Sequence, residues 1–169
     1  GGGLPVTYDE EMPSTEEIVD TIAGAVRDQC DAHGLSEPTL LLEPGRRLVA
    51  DAGSALATVG SVKETPTATF AVLDAGTNVV SSGWPYPVYA LADELAMETY
   101  DVAGPLCYTG DVIQENVSLP PLEPGDRIVL DRIGAYTLGS ASHTNAMPKP
   151  AVVLVRADDS VDLVRPAET

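Results

Sequence analysis

The 169-residue sequence is poor in positive charge and in long apolar runs. Nine lysines and arginines stand against 26 aspartates and glutamates, which gives a net charge of −17. Nucleic acids and anionic membrane surfaces are bound by clustered cations, so this balance argues against both as partners. No apolar run reaches the roughly 18 residues of a membrane span, and no basic segment precedes an apolar one as in a signal peptide. Since the sequence begins at Gly1 and not at methionine, we expect part of a longer protein or a processed one.

Lysine and cysteine are both scarce, and the acidic residues are scattered along the chain, which is typical of a solvated surface. This composition resembles that of proteins from salt-loving organisms, in which dense counterions screen self-repulsion; an ordinary acidic protein is the alternative. Cys30 and Cys107 form neither a disulfide framework nor a metal-ligand spacing. We therefore expect no metal site and a reducing, cytoplasmic environment.

Residues 14–33 carry the signals of one helix. A Ser-Thr-Glu-Glu sequence at 14–17 has the spacing of a capping box, and apolar residues then recur at helical spacing. Gly34 stands where such a helix would end. Cys30 falls on the apolar stripe, so we expect it to be a small core residue.

A short apolar run at 39–43 follows this helix and ends at Pro44 and Gly45. Such a run is typical of a buried strand in a parallel sheet. A helix followed by a buried strand is one step of an α/β fold, so residues 1–54 are assigned to the end of an α/β unit.

Residues 55–169 have a different composition pattern. Short segments rich in valine, threonine and tyrosine alternate there with glycine, proline and aspartate. This spacing predicts an antiparallel barrel or sandwich, with turns at 122–126 and 158–160. The fold class is therefore α/β followed by mainly β. The predicted strands are 55–63, 68–74, 86–90, 97–103, 126–131, 150–156 and 161–165.

Two segments that contain glycine are candidates for binding an anion. The backbone N–H groups of Gly1, Gly2 and Gly3 can approach an anion closely, although a plain turn or an expression scar gives the same pattern. The Glu-Pro-Gly-Arg segment at 43–46 ends the predicted strand, on the face where α/β barrels carry their active sites. A glycine backbone and a guanidinium can clamp a phosphate, and the adjacent carboxylate can address a protonated ring nitrogen. A strand-end turn with a surface arginine is the alternative.

Two later loops carry candidate reactive side chains. The loop at 104–111 begins with Gly-Pro and contains Cys107 shortly before Asp111. A thiol in such a loop is a candidate proton donor or nucleophile, with a buried structural cysteine as the alternative. The Gly-Ala-Tyr segment at 134–136 follows a predicted strand and either directs a phenol into a cleft or provides a packing tyrosine.

Taken in order, these segments resemble the fold-type III pyridoxal-phosphate-dependent decarboxylases of diaminopimelate, ornithine and arginine. The resemblance covers nearly the whole chain and is strongest to the diaminopimelate-specific members. It implies that residues 1–54 are the last units of the cofactor-binding (β/α)8 barrel, and that residues 55–169 are the C-terminal antiparallel β-barrel or sandwich domain. The matching segments are Gly1–Gly3, Glu43–Arg46, Asp74–Gly76, Gly104–Asp111, Gly125–Asp126 and Gly134–Tyr136.

The resemblance implies pyridoxal 5'-phosphate as the cofactor and gives roles to individual residues. Glu43 would pair with the ring nitrogen and keep it protonated, so that the ring acts as an electron sink. Cys107, from the second subunit of a homodimer with shared active sites, would protonate the substrate after carbon dioxide leaves. The residues that would hold the cofactor phosphate are Gly1, Gly2, Gly3, Gly45, Arg46 and Tyr136.

The family also requires a lysine that binds the cofactor as a Schiff base. That lysine precedes the triple-glycine loop, whereas Lys63 and Lys149 lie in other segments. The resemblance thus implies that this chain is the C-terminal portion of the enzyme. We expect this portion alone neither to bind the cofactor covalently nor to decarboxylate an amino acid.

The positions that read the substrate depart from the diaminopimelate pattern. Tyr108 stands where a glutamate usually follows the cysteine, and the stretch from Ser81 to Tyr89 lacks the arginine that reads the distal carboxylate. Trp84, Tyr86 and Tyr108 indicate a less polar distal pocket, and ordinary packing in the β domain accounts for them equally well.

The resemblance implies conversion of meso-diaminopimelate to lysine and carbon dioxide. The candidate substrate contacts are Arg46, Tyr89, Tyr108 and Asp111. One alternative is decarboxylation of another amino acid, free or carrier-bound. The other alternative is a non-catalytic homologue that binds and regulates a decarboxylase.

Overall fold

The computed structural model describes residues 2–91 and 96–168 and places helix α1 at Thr15–His33 and helix α2 at Gly45–Val49. Ser14 Oγ accepts a hydrogen bond from the Glu17 N–H at 3.2 Å, and the Glu17 carboxylate accepts one from the Ser14 N–H at 2.8 Å. Gly34 ends α1 in the left-handed region with a φ of 63°. The predicted helix and the caps at both of its ends are therefore confirmed.

The apolar stripe of α1 is only partly covered within the described chain. Cys30 is buried, as expected, whereas Ile22 is 36% exposed. Neither helix of the described residues combines the length and the apolarity needed to cross a membrane.

Residues 39–43, predicted as a buried strand, do not form a strand here. Leu41 is 80% exposed, and no described segment pairs with this run. A strand exists only where a neighbour completes its hydrogen bonds, so an apolar run alone does not make one. The described residues accordingly contain no strand of a (β/α)8 barrel, and the predicted αβ step is reduced to helices and loops.

Eight strands are present in the described chain, and seven of them are the predicted ones, with shifts of a few residues at their ends. The additional strand is β5, whose sequence Val-Ile-Gln-Glu-Asn-Val-Ser-Leu places three polar residues in succession and breaks the alternation that marks a strand. The strands are β1 (Ala55–Glu64), β2 (Thr69–Leu73), β3 (Val88–Ala90), β4 (Glu98–Ala103), β5 (Val112–Leu119), β6 (Arg127–Leu130), β7 (Val152–Val155) and β8 (Val161–Arg165).

Six of the strands form one sheet in the order β3-β6-β1-β2-β4-β5. The edge strands β3 and β5 contact each other, so the sheet is nearly closed into a barrel, as predicted for the β domain. It is not wholly antiparallel, because β2 and β4 run parallel, with Val72 opposite Ala103. Strands β7 and β8 form a separate antiparallel hairpin. The parallel pair brings the carboxyl ends of β2 and β4 side by side, so the loops that follow them are neighbours.

Tyr100 anchors the interior of this sheet through its hydroxyl group. Its side chain is 2% exposed, and its Oη donates to the Glu98 carboxylate at 2.7 Å and accepts from the Leu122 N–H at 3.0 Å. We expect Tyr100→Phe to lower the free energy of unfolding by about 1–3 kcal/mol, because the buried Leu122 N–H loses its partner. Urea denaturation at neutral pH measures this loss. Tyr89→Phe, at a tyrosine that is 54% exposed on β3, is the control and should change little.

The same hydroxyl predicts a dependence of stability on alkaline pH. Burial, together with the hydrogen bond to Glu98, raises the pKa of Tyr100 above its usual value. The folded state therefore favours the neutral phenol, and this contribution is present below about pH 10 and is lost as the pH rises through the raised pKa. The stability difference between the parent and Tyr100→Phe should shrink above about pH 10. A difference that grew with pH would contradict this assignment.

Candidate functional site

Six of the seven residues predicted to bind the cofactor line one cavity of about 840 Å³. This volume lies within the range of about 300–1,000 Å³ that is usual for small-molecule sites. Gly1, also predicted to bind there, lies outside the described residues. The six predicted residues that line the cavity are Gly2, Gly3, Glu43, Gly45, Arg46 and Tyr136.

The glycine loop and the Glu-Pro-Gly-Arg turn touch each other at the rim of this cavity. A Cβ added to Gly2 would overlap the carbonyl oxygen of Glu43. The turn itself is closed by a hydrogen bond from the Gly45 N–H to the Glu43 carbonyl oxygen at 2.9 Å. Two segments that lie about forty positions apart in the sequence therefore form one continuous wall.

Tyr136 reaches the same wall from the turn that follows β6. The Gly134 N–H donates to the Ala50 carbonyl at 2.9 Å, and a Cβ at Gly134 would overlap the Val49 carbonyl, so this turn lies directly on the end of α2. Tyr136 itself has a φ of 60°, which is unfavourable for a residue with a side chain. Ser140 Oγ stabilises the turn by donating to the Tyr136 carbonyl at 2.6 Å.

The Tyr136 hydroxyl points towards the Glu-Pro-Gly-Arg turn. A Cβ added to Gly45 would lie 2.9 Å from Tyr136 Oη, which is closer than real Cβ contacts allow. Glycine at position 45 therefore leaves the space that the phenol occupies, and the hydroxyl is held at the edge of the cavity.

Arg46 is held by three aromatic side chains. Its Nη1 donates to Tyr8 Oη at 2.8 Å, and its guanidinium carbon lies 3.6 Å from the centre of the Trp84 ring and 5.1 Å from that of Tyr136. Cation–π contact and stacking restrict the guanidinium, while its other N–H groups are donors that an anion in the cavity would meet. The guanidinium brings a positive charge to the cavity, whose lining also includes the acidic residues Asp9 and Glu43.

Tyr86 packs against Tyr8, the residue that accepts the hydrogen bond from Arg46. The two rings meet edge to face with their centres 5.8 Å apart, and Tyr86 is 2% exposed. Burial raises the pKa of Tyr86, which therefore remains a neutral phenol beside the guanidinium. The rings of Tyr8 and Tyr86 contribute apolar surface to this side of the site, and Arg46 contributes a positive charge.

This arrangement suits a flat ligand that carries a phosphate. The guanidinium of Arg46, the hydroxyl of Tyr136 and the exposed glycine backbone are partners for phosphate oxygens. The Glu43 carboxylate is a partner for a protonated ring nitrogen, and the rings of Tyr8 and Trp84 offer apolar faces.

Four other predicted site residues do not line this cavity. Cys107 and Tyr108 are exposed in the loop between β4 and β5, and Tyr89 is exposed on β3. Asp111, expected to contact the substrate, is 3% exposed, and both of its carboxylate oxygens accept hydrogen bonds from the chain. The described chain therefore brings together the predicted cofactor residues but not the predicted catalytic thiol.

Tyr8, which binds the Arg46 guanidinium, is among the cavity residues that the sequence did not indicate. It lies in an irregular segment between the glycine loop and α1, with no periodicity and no motif around it. The only available signal was its proximity to the glycine loop, and proximity alone does not distinguish a site residue from a loop residue.

Comparisons of sequence place the chain among known proteins. The family profile described as "Pyridoxal-dependent decarboxylase, C-terminal sheet domain" matches residues 6–134. The diaminopimelate decarboxylase of Methanothermobacter thermautotrophicus is 37% identical over 175 aligned residues, which cover 100% of this chain and 40% of that protein. The chain thus spans about two-fifths of the length of the curated relatives that it matches.

Comparisons of structure identify the same group of proteins. The crystal structure of diaminopimelate decarboxylase from Methanocaldococcus jannaschii matches with a TM-score of 0.84 and 32% identity, over 99% of this chain and 39% of that one. A lysine/ornithine decarboxylase from Vibrio vulnificus, crystallised with cadaverine, matches with a TM-score of 0.70 and 30% identity, over 86% of this chain and 40% of that one. The fold is therefore shared by decarboxylases that are named for different substrates.

Proposed function

The chain belongs to the pyridoxal-dependent decarboxylase family, and from this premise we propose that it is the C-terminal part of a pyridoxal-phosphate-dependent amino-acid decarboxylase. The observation that carries the proposal is the single cavity lined by the glycine loop, the Glu-Pro-Gly-Arg turn and Tyr136. These three segments are far apart in the sequence, and the fold brings their polar groups to one place.

The residues present fit pyridoxal phosphate. At position 2 a Cβ would overlap the backbone carbonyl of Glu43, so glycine is required there, and at position 45 a Cβ would crowd the Tyr136 hydroxyl. Arg46, Tyr136 and the glycine backbone would hold the phosphate, and Glu43 would hold the protonated ring nitrogen. When bound, the cofactor supplies an electron sink for the negative charge that remains on the substrate carbon after carbon dioxide leaves.

The covalent anchor of the cofactor lies outside this chain in the proposed enzyme. Lys63 lies on β1 and Lys149 lies just before β7, and neither lines the cavity. We therefore propose that the upstream part of the protein supplies the lysine and completes the barrel around the cavity.

We assign to Cys107 the role of proton donor in a second copy of the enzyme. The thiol is exposed on the loop between β4 and β5 and does not line the cavity of its own chain. A homodimer in which each copy extends this loop to the other's cavity would place the thiol beside the substrate. There Cys107 would transfer its Sγ proton to the carbon that has lost carbon dioxide.

The proposed reaction is the conversion of meso-diaminopimelate to lysine and carbon dioxide, as a step of lysine biosynthesis. The names of the relatives from Methanothermobacter and Methanocaldococcus support this choice. A second candidate, decarboxylation of another amino acid, is favoured by Trp84, which lines the cavity in the stretch where the arginine expected to read the distal carboxylate is missing.

A substrate panel tests both candidates. The full-length protein, reconstituted with pyridoxal phosphate, is assayed for carbon dioxide release from meso-diaminopimelate, ornithine, arginine and lysine. We expect the highest kcat/KM for meso-diaminopimelate. A preference for ornithine or lysine would support the second candidate. Cofactor binding without carbon dioxide release from any substrate would instead support a regulatory homologue and overturn the proposed activity.

The expected environment of the enzyme is a salt-rich cytoplasm. The net charge of −17 and the two free cysteines of the described chain support this proposal. Activity of the full-length protein in molar potassium chloride, compared with dilute buffer, tests the salt requirement.

Trp84 is expected to strengthen cofactor binding through Arg46. Replacement by alanine removes the ring that lies 3.6 Å from the guanidinium carbon, and a cation–π contact of this kind contributes about 0.5–2 kcal/mol. We therefore expect Trp84→Ala to weaken the affinity of the full-length enzyme for pyridoxal phosphate by about 2- to 30-fold. Equilibrium dialysis measures the affinity.

Two matched variants test whether the loss of affinity comes from removal of the aromatic ring next to Arg46. Trp84→Phe keeps an aromatic face and should retain most of the affinity. Tyr89→Ala removes an exposed aromatic ring outside the cavity and should leave the affinity unchanged. Equal affinities for the parent and Trp84→Ala would show that the stacking does not contribute.

A further inference from the structure

We propose that Asp111 is the positioning residue for Cys107, a role that rests on the proposed function. The two residues belong to one loop, 104–111, which joins β4 to β5. Cys107 is exposed, whereas Asp111, at the end of the loop, is 3% exposed. The exposed thiol and the buried carboxylate thus belong to the same short loop.

The Asp111 carboxylate ties the residue before Cys107 to a different loop. Its Oδ2 accepts a hydrogen bond from the Leu106 N–H at 2.7 Å. Its Oδ1 accepts two hydrogen bonds from Thr77, from the N–H at 2.6 Å and from Oγ1 at 2.8 Å. Thr77 lies in the loop that follows β2. One side chain therefore joins the thiol-bearing loop to its neighbour at the end of the parallel strand pair.

The backbone of Asp111 closes the loop at its base. The Gly104 N–H donates to the Asp111 carbonyl oxygen at 2.8 Å, and the Asp111 N–H donates to the Tyr108 carbonyl oxygen at 3.1 Å. The first residue of the loop and the residue after Cys107 are thereby fixed to the same aspartate. Cys107 lies between these attachments, which restrain the backbone on both sides of it.

Two glycines make the space that this carboxylate fills. A Cβ at Gly76 would lie 2.7 Å and 2.8 Å from the two Asp111 carboxylate oxygens. A Cβ at Gly104 would overlap both Asp111 and the backbone of Gly76. The glycines of the Asp-Ala-Gly and Gly-Pro segments therefore admit the Asp111 side chain. The need for this space explains the glycines at positions 76 and 104, neither of which lines the cofactor cavity.

The chemical consequence concerns the proton on Cys107. In the proposed reaction the Sγ–H bond breaks, the proton bonds to the substrate carbon that has lost carbon dioxide, and the thiolate regains a proton from water. Displacing a reacting group by about 1 Å can slow its step about 100-fold. In this proposal Asp111 acts by fixing the thiol, whereas the sequence predicts that it contacts the substrate.

The test uses Asp111→Asn in the full-length enzyme and compares amine product with carbon dioxide released. The asparagine side chain keeps the size but replaces one acceptor oxygen with an NH2 group, which would face N–H donors. We expect the ratio of amine product to carbon dioxide to fall about 10- to 100-fold, with the remainder recovered as a carbonyl compound whose amino group has passed to the cofactor. A merely structural role would lower the two yields together and leave their ratio unchanged, and that result would overturn the proposal.

A double-mutant comparison tests whether Asp111 acts through the thiol. In a Cys107→Ala background, Asp111→Asn should not lower the ratio further. A further fall of the same size as in the parent would overturn the positioning role. Asp101→Asn is the matched control, because Asp101 on β4 also accepts a hydrogen bond from a backbone N–H, that of Asn116, at 2.9 Å. This control should leave the ratio unchanged.

Hydrogen exchange provides a measurement that does not depend on activity. Asp111→Asn and Gly76→Ala should both raise the exchange rate of the Leu106 N–H at least about tenfold, while β4 and β5 stay protected. Unchanged exchange in an active Asp111→Asn enzyme would overturn the positioning role alone. Failure of the parent to release carbon dioxide would overturn the proposed function, and with it the role of Asp111 in the reaction, whereas the exchange result would still report on the loop itself.

Discussion

Arg46→Ala is expected to weaken binding of pyridoxal phosphate to the full-length enzyme by about 10- to 150-fold, because hydrogen bonds to a charged group contribute about 1.5–3 kcal/mol. Arg46 is the arginine that lines the cavity, and Tyr8 and Trp84 hold its guanidinium in place. The loss should be specific for the phosphate. The affinity for pyridoxal, which has no phosphate, should change less than about threefold in the same variant. Equilibrium dialysis with the two compounds measures both affinities.

Two neighbouring variants make this prediction specific. Arg47→Ala removes the adjacent arginine, which approaches Thr15 Oγ1 at 3.4 Å and does not line the cavity, so cofactor affinity should be unchanged. Arg46→Lys keeps the charge but loses the planar donor group and the stacking on Trp84, so it should bind with intermediate affinity. If Arg46→Ala retained the parent affinity, or lost affinity for pyridoxal equally, the phosphate-binding role would be wrong.

The sequence predicted the polar residues of the cavity even where it mispredicted the element that carries them. Glycine, a cation and a carboxylate in the Glu-Pro-Gly-Arg segment specify chemistry that does not depend on the local secondary structure. The strand expected just before that segment is absent from the described chain, yet Glu43, Gly45 and Arg46 still line the cavity. Contact with the glycine loop and with the Tyr136 turn positions them, and such contacts between distant segments leave no periodic signal in a sequence.

The features that the sequence did not reveal are of the same long-range kind. Strand β5 was missed because its polar centre lies in a bulged pairing with β4, where alternation is lost. The parallel pairing of β2 with β4 has no local signature, so the contact of Asp111 with Thr77 could not be foreseen. The sequence therefore predicts a substrate contact for Asp111, whereas its burial and its hydrogen bonds with Leu106 and Thr77 support the positioning role that we propose.

Cys107→Ala is expected to slow formation of the amine product more than it slows the release of carbon dioxide. Removal of the thiol takes away the proton donor and leaves every described residue of the cavity in place, because Cys107 does not line it. A positioned acid contributes about 10²- to 10⁴-fold to a proton transfer, so formation of the amine product should slow by at least about 100-fold. Carbon dioxide release should fall less, and the affinity for pyridoxal phosphate should be unchanged. Parallel assays of carbon dioxide, amine product and bound cofactor separate these effects.

Cys30→Ala is the matched control, because it removes the other cysteine of the described chain from a buried position on α1. It should cost some stability and leave the ratio of product to carbon dioxide at the parent value. Mixing Cys107→Ala with Arg46→Ala subunits tests the shared site directly. A mixed dimer holds one cavity with an intact Arg46 and the partner's intact Cys107, so up to about half of the mixed dimers' sites should recover activity. No recovery in verified mixed dimers would show that the thiol serves its own subunit, and normal product formation by Cys107→Ala would show that it is not the proton donor.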